Sequence, residues 1–346
     1  MGRSTVYNNI VKDNYTKVCN ENKELLDEFL EYCEVGGKSK TTLVNYTSDI
    51  KIFFTCNLIN NKNIPFYKAT KRNLIKYQNY LMKELGLGDS RIKRLKSSLS
   101  SLSSFAENVL EEEVEEWKGF RNIINKLPPT IKGEPRREKT IMGFDEVKIK
   151  ILDKLVEKGK YQQACCIALA TYGGARKSEL GRFKVEYFKD EYVTFGCWYK
   201  TPEKIEVKGR GDHRVYKYTL KNEFKPYLDL WLKQREGLGI DSEWLFVAKN
   251  KSEYTQATDI TLDGWMKSIN KIVEEDLYFH LFRHTFVSHL KQMGLPNDVV
   301  IEIMKWAKGS DVMVSIYNDT NVMDEMGQYF NEEGIVKIEE AKINNL

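Results

Sequence analysis

Four stretches of the chain carry residue types able to act on a phosphate. The first is Thr171-Tyr-Gly-Gly-Ala-Arg-Lys-Ser-Glu-Leu180. A glycine pair is a common helix end, so Arg176 should fall at the mouth of a short following helix whose free backbone N–H groups favour an anion. Arginine presents a planar fork that matches two phosphate oxygens, and it stays charged at any relevant pH. Glu179, one helical turn on, is placed to orient it. Alone, the motif fits an ordinary surface arginine at a helix start equally well.

The second stretch is Phe279-His-Leu-Phe-Arg-His-Thr-Phe-Val-Ser-His289. His280 and Arg283 are three apart and share a face on a helix, with Leu281, Phe282 and Phe286 turned inward. The chain has four histidines, His213, His280, His284 and His289, and three of them fall here. Histidines at helical spacing can bind zinc, and His280 with His284 has that spacing. No acidic ligand or cysteine lies nearby, so a metal site is disfavoured and neither metal nor cofactor is expected. Arg283 between the histidines points instead to an anion that needs both a clamp and a proton donor.

The third stretch is Val207-Lys-Gly-Arg-Gly-Asp-His-Arg214. Lys208 precedes a glycine-rich turn between two expected strands, a tip able to enter a groove, and Arg210 is a further candidate DNA contact. A charged but idle hairpin would read the same. The fourth runs from Lys308 to Tyr317. With 19 tyrosines in the chain, packing is the ordinary role of any one of them.

These residues need elements to position them. The clearest break is 127–140, LPPTIKGEPRREKT, where prolines and mixed charge cannot continue a helix. It predicts a helical domain over 1–126 and a second domain over 141–346. In the first, apolar residues recur at helical spacing over 22–33, 39–56, 71–85 and 90–110. Residues 86–90 suggest a turn and then a helix cap. The fourth helix opens with Arg91, Lys93, Arg94 and Lys96, followed by serines on one face. That is either a solvated basic turn or a face that contacts DNA phosphates. About twenty polar residues precede the first periodic segment, so a further N-terminal domain is not expected. In the second domain, 144–159 and 160–172 read as helices. Short β-branched and aromatic runs over 192–199, 204–208 and 214–219 suggest a small antiparallel sheet. Helices resume at Asn222 and continue through 260–273, 280–293, 296–307 and the region of Tyr317. A tail over 321–345 carries apolar residues such as Val322, Met326 and Phe330.

Bulk composition sets the outer bounds. A chain of 346 residues favours two domains. Its 41% hydrophobic content excludes global disorder. A net charge of +4 permits nucleic-acid binding without demanding it. The six cysteines have no zinc spacing, and Cys165 and Cys166 sit in an apolar run, which suggests buried free thiols. Residues 1–7 are polar, and no apolar run approaches the roughly 20 residues that span a bilayer. A soluble, cytoplasmic protein with no membrane contact is the expectation.

Together, Gly-Ala-Arg-Lys-Ser-Glu-Leu, a hairpin lysine, His-Leu-Phe-Arg-His and a downstream Ile-Tyr, in that order, resemble the tyrosine recombinase (phage integrase) family over 141–320. The helical N-terminal part is similar to its core-binding domain. The resemblance implies a mainly α fold with a small antiparallel β-sheet, a helical core-binding domain followed by an α+β catalytic domain. It implies that Arg176 and Arg283 hold a scissile phosphate, Lys208 protonates the departing 5′ oxygen, and His280 acts as proton donor or acceptor and phosphate ligand. Glu179 would support Arg176, and Tyr317 would be the nucleophile. The family's usual histidine or tryptophan nine residues before the tyrosine is replaced by Lys308, which can still donate to a phosphate oxygen; Trp306 is a substitute if the loop register differs. The implied partner is double-stranded DNA, clamped between the domains with Arg136 and Arg137 of the linker crossing a groove. The implied assembly is a homotetramer on two DNA sites, with C-terminal segments exchanged and accessory DNA-bending or directionality proteins accommodated. Three rivals stand beside this reading: a type IB topoisomerase or resolvase, a catalytically inactive DNA-binding regulator, and a metal-dependent nuclease.

Overall fold

The computed structural model describes residues 3–124, 127–128, 141–207, 214–251 and 253–306. The chain divides into two compact units, Met1–Glu138 and Lys139–Leu346, each with its own hydrophobic core. Most of the expected linker over 127–140 lies outside the described residues.

The first unit is helical. It comprises α1 (Arg3–Ile10), α2 (Asn20–Val35), α3 (Lys40–Asn60), α4 (Lys71–Asn79), α5 (Asp89–Phe105) and the single turn α6 (Glu111–Glu113). The residues chosen by helical spacing are its core: Leu25, Leu26 and Phe29 of α2, Ile50, Phe53 and Phe54 of α3, and Leu95, Leu99 and Leu102 of α5 are all buried. Phe66 meets Phe53 edge-on at 5.6 Å, the geometry that sets a ring edge against a neighbour's π face. Ser39 caps α3 by accepting from the Thr42 amide, and Thr70 with Asn73 forms a capping box on α4.

Three details differ from the sequence reading. The polar lead-in contains a helix, α1. The start of α5 has no side-chain cap; Gly88 occupies the cap position, and Asp89 pairs with Lys93 at 2.8 Å instead. The expected helices over 71–85 and 90–110 each finish in a π turn, Tyr80–Glu84 and Ala106–Leu110. Those wide turns keep Leu81 and Leu110 in the core, so the apolar periodicity cannot reveal them.

The second unit comprises α7 (Phe144–Val147), α8 (Asp153–Glu157), α9 (Tyr161–Tyr172), α10 (Lys177–Leu180), α11 (Lys221–Gly237), α12 (Asp259–Val273), α13 (Phe279–Gln292) and α14 (Asn297–Met304). A π turn, Lys148–Leu152, joins α7 to α8. Helix α9 is apolar on every side from Ala164 onward, and every residue from there to Tyr172 is buried. An all-apolar helix is stable only at the centre of a core. Around it lie Phe224, Leu228 and Trp231 of α11 and Phe282, Phe286 and Leu290 of α13. The Trp231 indole is satisfied by the Leu245 carbonyl at 2.8 Å. All six cysteines are free thiols, with Cys165 and Cys166 fully buried.

Among the described residues the expected sheet is two separate antiparallel pieces. Strands β1 (Val193–Thr194), β2 (Trp198–Lys200) and β5 (Tyr218–Leu220) pair in the order β1-β2-β5, while β3 (Ile205–Glu206) pairs with β4 (Arg214–Val215). The run read as one strand over 192–199 folds back on itself. Phe195 and Gly196 at its tip both have positive φ, 52° and 73°, which reverses the chain and sets Thr194 against Trp198. A further hairpin, β6 (Val247–Asn250) with β7 (Glu253–Gln256), interrupts a stretch read as helical. Among the described residues no helix is long and apolar enough to cross a membrane.

Candidate active site

The site grows from the end of α9. Gly174 has φ +58°, and a Cβ there would lie 2.5 Å from Phe286 Cδ1 of α13. A Cβ on Gly173 would lie 2.7 Å from Thr219 Oγ1 of β5. Only glycines allow the chain to turn this tightly between α13 and β5. The turn delivers Arg176 to the cap position of α10. Its backbone amide donates to Glu179 Oε2 at 2.9 Å, and its Nη1 donates to Glu179 Oε1 at 2.8 Å. Glu179 is fully buried, while the Arg176 side chain keeps 27% of its surface exposed. The carboxylate therefore anchors one edge of a guanidinium that still faces outward.

Arg283 enters from α13 and is only 3% exposed. Its Nη1 donates to the Gly174 carbonyl and its Nη2 to the Met304 carbonyl, the latter at 3.1 Å. Its guanidinium carbon lies 5.6 Å from the centroid of the Trp306 ring. Burial and the nearby charge of Arg176 both lower its proton affinity, and Glu179 opposes them. The group remains a cation at neutral pH.

A third cation completes the cluster. Lys217, just before β5, is 3% exposed, and its Nζ lies 2.6 Å from Glu179 Oε2. Sequence reading missed it, although a signal was present: Val215, Lys217 and Thr219 are all buried in strict alternation, the period-two register of an inward strand face. Burial raises the Glu179 carboxyl, but Lys217 and Arg176 outweigh it and hold the group below its ordinary value. Two cations thus contact the Glu179 carboxylate, and Arg283 lies near enough to feel its charge. The excess positive charge, with one guanidinium reaching solvent, suits a bound anion.

Among the residues expected in the site, Arg176, Glu179 and Arg283 lie together. His280 is exposed in the first turn of α13, on the same helix as buried Arg283. Its ring stands edge-on to that of His284, centroids 4.6 Å apart. No group of three metal-ligating side chains occurs among the described residues. His289 stacks on Phe144 with centroids 3.7 Å apart, and burial lowers its pKa. It is a packing residue. Lys208, Arg210, Arg136, Arg137, Lys308 and Tyr317 lie outside the described residues.

The basic start of α5 is less open than its sequence suggests. Arg91 and Arg94 contact Asp49 at 2.9 and 3.3 Å, and Asp49 is fully buried on α3. Ser98 donates to the same carboxylate at 3.1 Å. Lys96 donates to the Pro128 carbonyl at 3.0 Å. Two of the four cations therefore neutralise an internal charge. Lys93, paired with Asp89 near the surface, keeps 60% exposure.

Comparison with known proteins adds an independent line. Residues 141–323 match the model of the phage integrase family, and residues 25–116 match that of the phage integrase N-terminal SAM-like domain. The chain is 29% identical over 328 residues to the SPbeta prophage-derived recombinase-like protein YomM of Bacillus subtilis, covering 93% of this chain and 94% of that one. It is 27% identical over 300 residues to the tyrosine recombinase XerA of Pyrococcus horikoshii, covering 85% and 88% of the two chains. The fold is similar to that of the site-specific recombinase XerH in a post-cleavage complex with its difH substrate, with a TM-score of 0.62, 16% identity and 94% and 91% of the two chains covered. It is also similar to the Tn1549 transposon integrase bound to circular intermediate DNA, with a TM-score of 0.59, 18% identity and 88% and 98% covered.

Proposed function

The chain belongs to the phage integrase family of tyrosine site-specific recombinases, and from that premise we propose that it cuts and rejoins double-stranded DNA through a covalent link between Tyr317 and a backbone phosphate. The observation that carries this reading is the convergence of Arg176 and Arg283 on one site, with Glu179 behind the first and two backbone carbonyls behind the second. A phosphodiester resists attack because nucleophile and target are both electron-rich. Fixed positive charge offsets the charge that develops on the phosphate, and it does so without reorganising during the reaction.

In the proposed step the Tyr317 oxygen attacks phosphorus and the bond to the 5′ oxygen breaks. Lys208 gives that oxygen its proton, a general-acid contribution on the order of 10²- to 10⁴-fold. His280, as acceptor, takes the phenol proton that Tyr317 releases on attack and, as donor, returns it when the tyrosine departs, while Lys308 donates to a phosphate oxygen. The product is a 3′-phosphotyrosine beside a free 5′ hydroxyl. Attack by a 5′ hydroxyl of the partner strand reverses the bond changes and releases the tyrosine. The number of phosphoester bonds is conserved, so no ATP is needed, and no step requires a metal. The helical unit and the linker residues Arg136 and Arg137 would hold the duplex, assisted by exposed cations such as Lys93 and by Arg210. The tail after Tyr317 would join four protomers on two DNA sites.

One observation favours a second reading. Lys308 stands where the family has histidine or tryptophan, which fits a regulator that binds DNA without cutting it. A duplex carrying a sulfur in place of the bridging 5′ oxygen separates the two, because its thiolate leaving group traps the adduct. The site sequence can be enriched by the chain itself from a randomised duplex pool. The recombinase forms a denaturant-resistant protein–DNA species that Tyr317→Phe cannot form, while that variant still shifts the duplex. An adduct that persists in Tyr317→Phe refutes the nucleophile; DNA binding with no adduct in the parent chain favours the regulator.

A further inference from the structure

We propose that Lys217 is a positioning residue that locks the Glu179 carboxylate and thereby holds the Arg176 guanidinium in the orientation that meets phosphate. The inference rests on the reading that Arg176 binds the scissile phosphate.

Glu179 has two oxygens with different tasks. Oε1 accepts from the Arg176 guanidinium at 2.8 Å. Oε2 accepts from the Arg176 amide at 2.9 Å and faces the Lys217 ammonium at 2.6 Å. With the ammonium on Oε2 and the guanidinium on Oε1, both oxygens of the carboxylate are held. Without the ammonium, the carboxylate can rotate toward Arg176 and draw a second guanidinium nitrogen inward, away from solvent. Lys217 is itself held by backbone. Its amide donates to Thr201 Oγ1 at 3.1 Å, and its carbonyl accepts from the Thr201 amide at 3.0 Å.

A purely structural role explains this residue poorly. Lys217 takes an inward position shared with Val215 and Thr219, where an apolar side chain would fill the space without desolvating a charge. Buried ion pairs are frequently no more stabilising than well-packed apolar replacements. What the ammonium adds is charge and direction at the Glu179 carboxylate, which contacts Arg176. Burial, opposed by Glu179 and reinforced by Arg283 and Arg176, lowers its pKa to about 8. The lock is therefore charged at neutral pH and weakens in mild alkali.

The experiment uses the full chain and the variants Lys217→Met, Lys217→Arg and Lys217→Gln. The first readout, the side-chain ¹⁵N–¹H signal of Arg176 Nε in the DNA-free protein, needs no catalysis. Lys217→Met should move it toward the position of a solvent-averaged arginine, and Lys217→Arg should keep it near the parent position. The second is the rate of adduct formation on the sulfur-bridged duplex. Lys217→Met should lose about 100-fold, the cost of a misaligned catalytic group, with duplex affinity unchanged and most of the rate restored in Lys217→Arg. The ratio of parent to Lys217→Met rates should shrink as pH rises through about 8. An unmoved Arg176 signal or an unchanged adduct rate in Lys217→Met overturns the proposal. Should Lys217→Met fail to fold, Lys217→Gln, a neutral side chain of similar length that leaves Glu179 intact, is read instead. An Arg176 signal and a rate displaced from the parent in the same direction support the lock, and parent-like values refute it. A parent chain that forms no adduct defeats the functional reading alone, and the Arg176 signal then decides this inference.

Discussion

Arg283 donates from Nη1 to the carbonyl oxygen of Gly174, a residue 109 positions earlier in the chain. The bond ties the middle of α13 to the turn that aims Arg176, so the two guanidinium groups are set by one piece of backbone. Gly174 is both the acceptor and the only residue type that fits. Its φ is +58°, and a Cβ would lie 2.5 Å from Phe286 and 3.2 Å from Met304.

Gly174→Ala is accordingly predicted to be severe. A left-handed alanine costs roughly 1–2 kcal/mol, and forcing a methyl into a filled core adds about 1–3 kcal/mol. Denaturant unfolding of the second unit should show a loss of about 2–5 kcal/mol, the sum of these two effects. A loss below about 0.5 kcal/mol, the range of a surface substitution, would mean that the turn can relax and is not fixed by α13.

Arg283→Lys separates charge from shape. Arginine reaches two carbonyls, those of Gly174 and Met304, from one planar group, and a lysine ammonium cannot reproduce that fork. The variant keeps the formal charge, so duplex affinity should change little. Adduct formation should fall by about 10²- to 10³-fold, as when one preorganised donor to the developing charge is removed. Parent-level adduct formation would show that Arg283 serves the fold alone.

The core of both units was legible from apolar spacing, because burial and helical period are the same fact seen twice. Leu95, Leu99 and Leu102 on α5 and Phe282 and Phe286 on α13 were found that way. The polar site was legible only in part. Arg176 and Arg283 stand out through their glycine and histidine neighbours, whereas Lys217 looks like one more surface lysine unless its alternation with Val215 and Thr219 is followed. The hairpin at Phe195 hid because an aromatic residue there suggests strand, and left-handed backbone at a non-glycine position has no reliable sequence mark. Asp49 hid for a related reason. A carboxylate inside an apolar helix shows its meaning only when Arg91 and Arg94 are seen to reach it.

That pairing divides the cations of α5 by task. Asp49→Ala leaves Arg91, only 17% exposed, without its carboxylate. The expected cost is roughly 2–3 kcal/mol, below that of a fully buried pair because Arg94 remains open to water. Lys93→Ala should leave stability unchanged and reduce the salt slope of duplex binding by about 1, the signature of one lost phosphate contact. Measured together, a stability loss in Lys93→Ala or an unchanged salt slope would remove this helix face from the DNA interface.

Lys217 supplies a stability prediction whose sign is opposite to that of most lysine ion pairs. Its pKa falls from 10.5 to about 8 in the folded chain, chiefly through burial, with Glu179 opposing and Arg283 and Arg176 adding to the fall. Below about 8 the folded and unfolded chains both carry the proton, and the full cost of the buried ammonium is present. Between about 8 and 10.5 the unfolded chain holds a proton that the folded chain has released. Stability attributable to this group therefore rises with pH across that window and levels off above it. A shift of this size corresponds to about 3 kcal/mol. Denaturant unfolding of the parent chain and Lys217→Met should show the parent gaining relative to the variant by that order as pH climbs through the window, with other titrating groups cancelling in the difference. A flat difference would place the Lys217 ammonium in contact with water, and a difference that falls with pH would make Glu179, rather than burial, the dominant influence on it.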